Sequence, residues 1–534
     1  MNQKNQYDVI VIGGGHNGLV AASYLQRSGL RTLVLEKRNQ VGGACVTEEV
    51  FPGYRVSTTS YVCSLLRPKI IQDLELERYG LELLERDPSS FTPFPDNRYL
   101  MFWNDQKKSC EEIAKFSKKD AKIFPHYEEM LKQLASFVEP ILLMTPPDPL
   151  SHRFGDFLKI AQLGLKARGL KGNLYEKVRI LSQSARDFLD NWFESDELKA
   201  TLATDGIIGA FASPDTPGTA YVLLHHVMGE TFGKKGVWAY VRGGMGGIAQ
   251  SMAKYFQSHG GEIRVSQTVD KIIIKNKKAV GVALASGEEI YAKRIVSNAD
   301  PHRTFVQMLD PSDCDSEFLE RVKKIRYKSA TFKLNMALNG VPNWKALPSQ
   351  DGKPGAQHQG TMHISPTLDY IEKAYQDARE GRVSESPVLE CTMASVVDDT
   401  VAPPGKHLMS VFVQYAPYEL KNGKWDEETK KKFADRCIQI IDDYAPGFKS
   451  SVENVHTLSP VDLETEYGMT GGNIFHGEMS LDQLFFMRPV PEVARYKTPI
   501  PGLYMCGSGT HPGGGVMGAC GHNAAHEILK QGWF

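Results

Sequence analysis

Residues 7–12 (YDVIVI) form an unbroken, mostly apolar run. Residues 17–29 then place Leu19, Val20, Ala22 and Leu25 at helical spacing, and residues 31–36 (RTLVLE) return to a continuous apolar run. Run, helical period and run again predict a strand–helix–strand unit in a buried parallel sheet. Between 111 and 200 the apolar positions recur at helical spacing around His126–Phe137 and Ile180–Phe193. Pro125 suits the first position of the earlier helix, and TPPDP at 145–149 interrupts the run. A helix is predicted at 248–259. Residues 263–298 predict a β meander of IRVSQ, VDKIIIK, AVGVALA and EEIYAKRIVSN, with turns at Asn276–Lys278 and Ser286–Gly287. Further strands are predicted at 331–338, 388–393 and 408–415. A helix fits 427–443, started by Asp426 as N-cap and followed by Pro446-Gly447. Near the end, Leu503–Cys506 predicts a strand leading through a glycine loop into a last helix.

Composition adds three facts. The chain is 41% apolar and 23% charged over 534 residues, which suits a globular protein of several domain-sized units. Its net charge of −1 removes the basic surplus that nucleic-acid binding needs. Nineteen of its 48 glycines crowd into residues 13–43, 236–247 and 507–521. Glycine permits positive φ and close backbone approach, so these stretches are expected to be loops built around something. No apolar run approaches the roughly 18–20 residues of a membrane span, and the residues before Tyr7 have neither a signal core nor a basic presequence. The expected setting is therefore the cytoplasm for a bacterial chain, at most peripheral to a membrane. The eight cysteines have no CxxC spacing, and no metal site is expected.

The first glycine stretch carries the clearest chemistry. Gly13-Gly14-Gly15-His16-Asn17-Gly18 lies between a predicted strand and helix and satisfies GxGxxG in its proper context. Gly13 turns the chain, Gly15 lets a pyrophosphate approach the backbone, and Gly18 lets helix and strand pack closely. Glu36 ends the next strand, where a carboxylate takes ribose hydroxyls. Residues 36–47 (EKRNQVGGACVT) then follow an acid with a GG pair. That arrangement resembles the FAD-binding pattern of glutathione-reductase-like flavoproteins. Gly14, Asn17, Lys37, Arg38, Gly43 and Ala44 are counted with this cofactor site. The disulfide reductases of that superfamily also carry two cysteines here, five positions apart. This chain has Cys45 but Val50, so a redox disulfide is not expected. RGGMGG (242–247) lacks the strand and acid of a second nucleotide fold and is read as a close backbone approach to the flavin or a tight crossover.

The C-terminal run GSGTHPGGGV (507–516) is very similar to the GxGTHPGxGV signature of phytoene desaturases and carotene isomerases. GGGHNGLVAASYLQRSGL, VTEEVFPGYRVSTTSYVCSLLRP, LKATLATDGIIGAF, YVLLHHVMG and GGNIFHGEMSLDQL extend a resemblance to the carotenoid/retinoid oxidoreductase family nearly end to end. The resemblance implies an α/β fold: a discontinuous, glutathione-reductase-like Rossmann domain binding FAD (1–75, 236–300 and 495–534), with an inserted α+β substrate domain (76–235 and 301–494). It implies that the backbone at Val269 holds the adenine. It also implies that Gly507, Ser508, Gly514, Gly515, Val516 and Met517 hold the ribityl and isoalloxazine parts. The acid usual in that superfamily after the last strand is absent, so the ribityl contact falls to backbone or Ser508. Eukaryotic relatives suggest a mitochondrial setting.

These features predict an FAD-dependent oxidoreductase that desaturates, reduces or isomerises a hydrophobic, isoprenoid or lipid-like substrate through flavin N5, in a tunnel of apolar and aromatic residues. His511 is the candidate acid/base. His225, His226 and His476 are candidates to line the substrate site, and His16 packs near the pyrophosphate. Two alternatives stay open: a flavin-binding regulatory protein, as the prenyl-GTPase escort proteins illustrate for this fold, and an amine oxidase. Residues 151–180 hold seven basic side chains against two acids, interleaved with Phe154, Phe157, Leu158, Ala161 and Leu165. That pattern predicts either a membrane-surface helix, a helix packed on its own domain, or an oligomer contact.

Overall fold

The computed structural model describes residues 7–149, 154–168 and 179–530. Two seven-stranded sheets organise the chain. In the first, strands Tyr7–Ile12, Thr32–Leu35, Glu262–Arg264, the far half of Glu289–Ser297, and Leu503–Met505 run parallel. The near half of Glu289–Ser297 instead joins Lys278–Leu284 and Val269–Lys275 in an antiparallel meander. The segment IRVSQ therefore does not open the meander. Its Glu262–Arg264 pairs parallel to Thr32–Leu35, because the helix Gly246–Ser258 before it makes a crossover and not a hairpin.

Helices His16–Arg27, Gly246–Ser258 and Ala519–Leu529 pack together on the first sheet through Leu19, Val20, Ile248, Met252, Ala524 and Ile528. The packing is tight because small residues face each other. A Cβ on Gly18 would overlap the Gly13 carbonyl, and one on Gly521 would overlap the Asn17 carbonyl.

The second sheet has the order Val452–Leu458, Thr331–Leu338, His407–Gln414, Val388–Thr392, Thr361–Ile364, Ser90–Pro93, Tyr99–Phe102. The helix Glu427–Tyr444 covers one face, where Phe433, Cys437, Ile438 and Ile441 meet Phe332, Leu334, Val411, Val413 and Leu389. Asp426 caps it, accepting from the Thr429 N–H at 3.0 Å. A layer of helices, Lys118–Leu142, Ala185–Asp190, Asp196–Ala203 and Thr219–Val227, stands over the opposite face.

Two helix starts differ from the sequence reading. Pro125 lies inside Lys118–Leu142 and does not begin it. Ser117 is the cap, accepting from the Asp120 N–H at 3.0 Å. Burial of Phe124, Tyr127, Leu131 and Leu134 offsets the roughly 3 kcal/mol that an interior proline costs. Likewise the helix expected from Ile180 begins at Ala185, where Ser184 caps the Asp187 N–H. Within 151–180 a helix spans Phe154–Arg168, and Arg153, Lys171 and Lys177 lie outside the described residues.

Candidate active site and cofactor cradle

Gly13 turns the chain at φ +93° directly after the first strand. Helix His16–Arg27 follows with its amide end toward that turn. Asn298, at the end of Glu289–Ser297, backs the turn: its Nδ2 lies 2.9 Å from where a Cβ on Gly15 would sit. Glu36 is buried, and its carboxylate accepts from the Gly14 N–H at 2.8 Å and the Arg38 N–H at 2.9 Å. Two backbone donors thus fix the acid at the glycine turn before any ligand arrives. The second loop folds over the first, with the Gly42 N–H donating to the Gly14 carbonyl at 2.9 Å. Ala44 closes it, accepting from the hydroxyls of Thr59 and Ser60.

Cations gather at this edge. Lys37 Nζ donates to the Thr465 carbonyl at 3.3 Å, and both it and the Arg303 guanidinium lie 3.6 Å from a Cβ on Gly468. Arg38 pairs with Glu48 at 2.6 Å and stacks on Tyr467, while its Nη1 is buried without a partner. Burial and the neighbouring Arg303 lower the Lys37 pKa. The backbone of Ser266 and Gln267 donates to the carbonyls of Arg38 and Glu36, which sets Val269 just beyond the acid.

The C-terminal loop reaches the same place. Asn17 Nδ2 donates to Ser508 Oγ at 3.0 Å, and the Cys506 N–H bonds to the Ser297 carbonyl. Arg488, fully buried, donates to the carbonyls of Phe475, Gly477, Glu478, Gln483, Ser508 and Thr510. It ties the 475–483 segment to the loop. Val516 and His476 hold positive φ of 44° and 55°, uncommon for side-chain-bearing residues and typical of ligand clamps. RGGMGG packs elsewhere: the Gly246 N–H bonds Thr47 and the Met245 N–H bonds Ser57, so it braces the second loop from behind.

A cavity of about 670 Å³ opens beside these loops, within the size range of small-molecule sites. His16, Ala44, Phe475, His476, Ser508, Gly515 and Val516 line its cofactor end, and Gln106, Lys132 and Lys234 its solvent side. Phe124, Tyr127, Leu131, Leu223, Val227 and Trp238 form an apolar wall on the helical layer. The opposite wall departs from the all-apolar tunnel expected. It is the second sheet's other face, where alternation puts Lys333, Glu390 and His363 toward the cavity. Lys333 and Glu390 both pair with Phe412 on the strand between them, and Glu390 pairs with His363 beyond, so the four share one row.

The histidines divide. His226 lines the cavity, its Nδ1 within hydrogen-bond reach of the Asp205 carbonyl (2.7 Å) and the Val222 carbonyl (2.9 Å), its ring stacked on Trp238. His476 and His16 line it with buried, unpartnered ring nitrogens. His225 is buried beneath Gly515, outside the lining. His511 is also outside: its Nε2 lies 2.9 Å from the Ile141 carbonyl and Phe485 packs on its ring. That environment suits a bracing side chain. Burial holds His16 and His225 at about 3, and His511 at about 4, so all three are neutral.

The residues fit FAD. A helix N-terminus, a pre-set acid and clustered cations meet at the glycine turn, and His16 and His476 bring orphaned ring nitrogens to the lining of the cavity. Cys45 is free and buried, its thiol contacting the Met245 carbonyl, and burial raises its pKa. No metal-binding cluster occurs among the described residues.

Comparison with known proteins agrees. The family described as "Flavin containing amine oxidoreductase" matches residues 18–529. The chain is 44% identical to "Pyridine nucleotide-disulfide oxidoreductase domain-containing protein 2" of Rattus norvegicus, over 99% of this chain and 94% of the rat protein. It is 26% identical to "Phytoene desaturase (lycopene-forming)" of Pantoea ananas, over 96% of each chain. Its fold resembles that of an oxidoreductase from Methanosarcina mazei, with a TM-score of 0.60, 17% identity and coverage of 98% and 99% of the two chains. The chain belongs to the flavin-containing amine oxidoreductase family and is an FAD-dependent oxidoreductase.

Proposed function

We propose that the substrate is a hydrophobic, isoprenoid or lipid-like molecule that is desaturated, reduced or isomerised. The observation that carries this reading is the apolar helical wall, running from the cavity's solvent side to the loops that cradle the cofactor. The bound flavin supplies the two-electron chemistry. Phe124, Tyr127, Leu131, Leu223 and Trp238 exclude water and align an extended chain. The similarity to a phytoene desaturase supports the same substrate class.

An amine substrate is the second reading, favoured by the family's description. Against it, the Arg86 guanidinium lines the cavity, where an ammonium would meet a like charge, and burial pushes the lining acids Asp205 and Glu390 toward their neutral forms. Anaerobic titration of the holoenzyme with C20 polyprenyl compounds and with alkylamines, followed at the flavin band, decides between them. Bleaching or spectral perturbation by polyprenyl compounds alone is expected. Bleaching by amines alone overturns the proposal.

We also propose that the helix Phe154–Arg168 rests on a membrane surface, giving such a substrate a way in. Phe154, Phe157 and Leu165 are 73%, 65% and 64% exposed. Meanwhile the helix is anchored by Asp156, which bonds Arg495 at 3.0 Å, so the exposed rings are held outward on a fixed element.

A further inference from the structure

The second sheet is buried on both faces, yet only one face is apolar. Thr331, Lys333, Glu390 and His363 all turn to the cavity, and all are buried. Arg86 joins them from the segment before Ser90–Pro93. It donates to the Ser89 carbonyl at 3.1 Å and to Thr361 Oγ1, and it stacks on Tyr240. Tyr61 completes the group: its hydroxyl donates to Glu390 at 2.9 Å and its ring lies 3.9 Å from Lys333 Nζ. Asp205 lies on the same cavity.

What matters is which atoms have no partner. Lys333 Nζ, Arg86 Nε, Thr331 Oγ1 and His363 Nδ1 are buried, belong to residues that line the cavity, and have no hydrogen-bond partner among the described residues. Protonated lysine and arginine nitrogens donate hydrogen bonds and accept none. A hydrocarbon filling the cavity offers these groups no partner, and each buried polar group left unmatched costs about 1–3 kcal/mol. An ammonium would face Arg86 and Lys333, while Glu390 already accepts from Tyr61. The complement of such a wall is a planar anion with several acceptor lone pairs.

We propose that Lys333 and Arg86, with Thr331 and His363, form a subsite for the carboxylate end of an amphipathic substrate whose apolar chain lies along the helical wall. This rests on the apolar-substrate reading above and narrows it from hydrocarbons to polyprenyl or fatty acids. Burial, opposed by the Glu390 charge, lowers the Lys333 pKa to about 7, so near neutrality a bound anion also draws a proton onto the amine.

The test compares three C20 ligands of one chain, geranylgeranoic acid, geranylgeraniol and geranylgeranylamine, by flavin spectral perturbation in the holoenzyme at pH 6.5. The acid is expected to bind at least about tenfold tighter than the alcohol. That advantage should fall below about threefold in Lys333→Met, with Arg86→Gln as the second variant. The wild-type ranking is decisive even where a variant fails to fold. Equal binding of acid and alcohol overturns the subsite and leaves the apolar-substrate reading standing. Tightest binding by the amine overturns the subsite in favour of amine recognition. Perturbation by none of the three overturns both readings.

Discussion

Arg488 shows what one side chain does for the cradle. Its guanidinium meets six backbone carbonyls, and burial lowers its pKa only to about 10, so it stays charged at neutral pH. Replacing it by Met strands these acceptors at about 1–3 kcal/mol each where no water replaces the donor. Arg488→Met is expected to lower the apo-protein's stability by at least about 3 kcal/mol, read by chemical unfolding, and to release FAD. His511→Ala behaves differently: flavin reduction rates stay unchanged, because its ring bonds a carbonyl outside the cavity. A drop in reduction rate with normal FAD content would restore it to the chemistry. The glycine loops and Glu36 were legible in sequence because each needs a particular residue type at a set spacing. Lys333, Glu390 and Arg86 were not. They come from three distant segments, and a lone lysine in TFKLNMAL looks like any half-exposed strand until the register gives its face. Arg488 and Asn298 carry no local signature at all.

At the scale of elements, the strand register makes the proposed subsite pH-dependent. Around Lys333 stand Tyr61, Glu390, Arg86, His363 and Asp205. Asp205 is raised to about 7 and Glu390 is also raised, both chiefly by burial. As pH rises through about 7 the amine loses its proton and Asp205 becomes anionic. Both changes oppose a carboxylate. Affinity for geranylgeranoic acid should therefore fall between pH 6 and 9, while that for geranylgeraniol stays flat; a flat profile for the acid refutes the sign. The exposed helix makes a separate prediction. The double variant Phe154→Ser, Phe157→Ser should lose most binding to vesicles containing anionic lipid, with its flavin spectrum unchanged. Equal flotation with wild type would remove the membrane contact. The amphipathic pattern of this helix was readable from sequence, but its anchoring by Asp156 and Arg495, 339 positions apart, was not. Pro125 misled for a related reason: a proline is tolerated mid-helix when tertiary burial outweighs it, and local rules do not see tertiary burial.

The whole molecule carries a set of buried neutral histidines. His16, His225 and His363 are held at about 3, and His358, His511 and His522 at about 4, each mainly by desolvation. Their unfolded value is near 6.5, so the unfolded chain takes up protons first as pH falls. Their contribution is intact above pH 6.5 and is lost progressively between about 6.5 and 3. The melting temperature should therefore drop steeply through that window; a plateau down to pH 4 would mean that these rings are not buried in solution.

At the same scale, three glycine loops from residues 13–43, 236–247 and 507–521 serve one place. Two form the cofactor groove, and the middle one braces it through Thr47 and Ser57. The most direct measurement is the visible spectrum of the purified protein before and after gel filtration, in wild type and in Glu36→Ala. One tightly held FAD per wild-type chain is expected. In Glu36→Ala, FAD retention is expected to weaken about 10–100-fold, from loss of charge-assisted bonds worth about 1.5–3 kcal/mol. A wild-type protein that is colourless and stays so after adding FAD would contradict it.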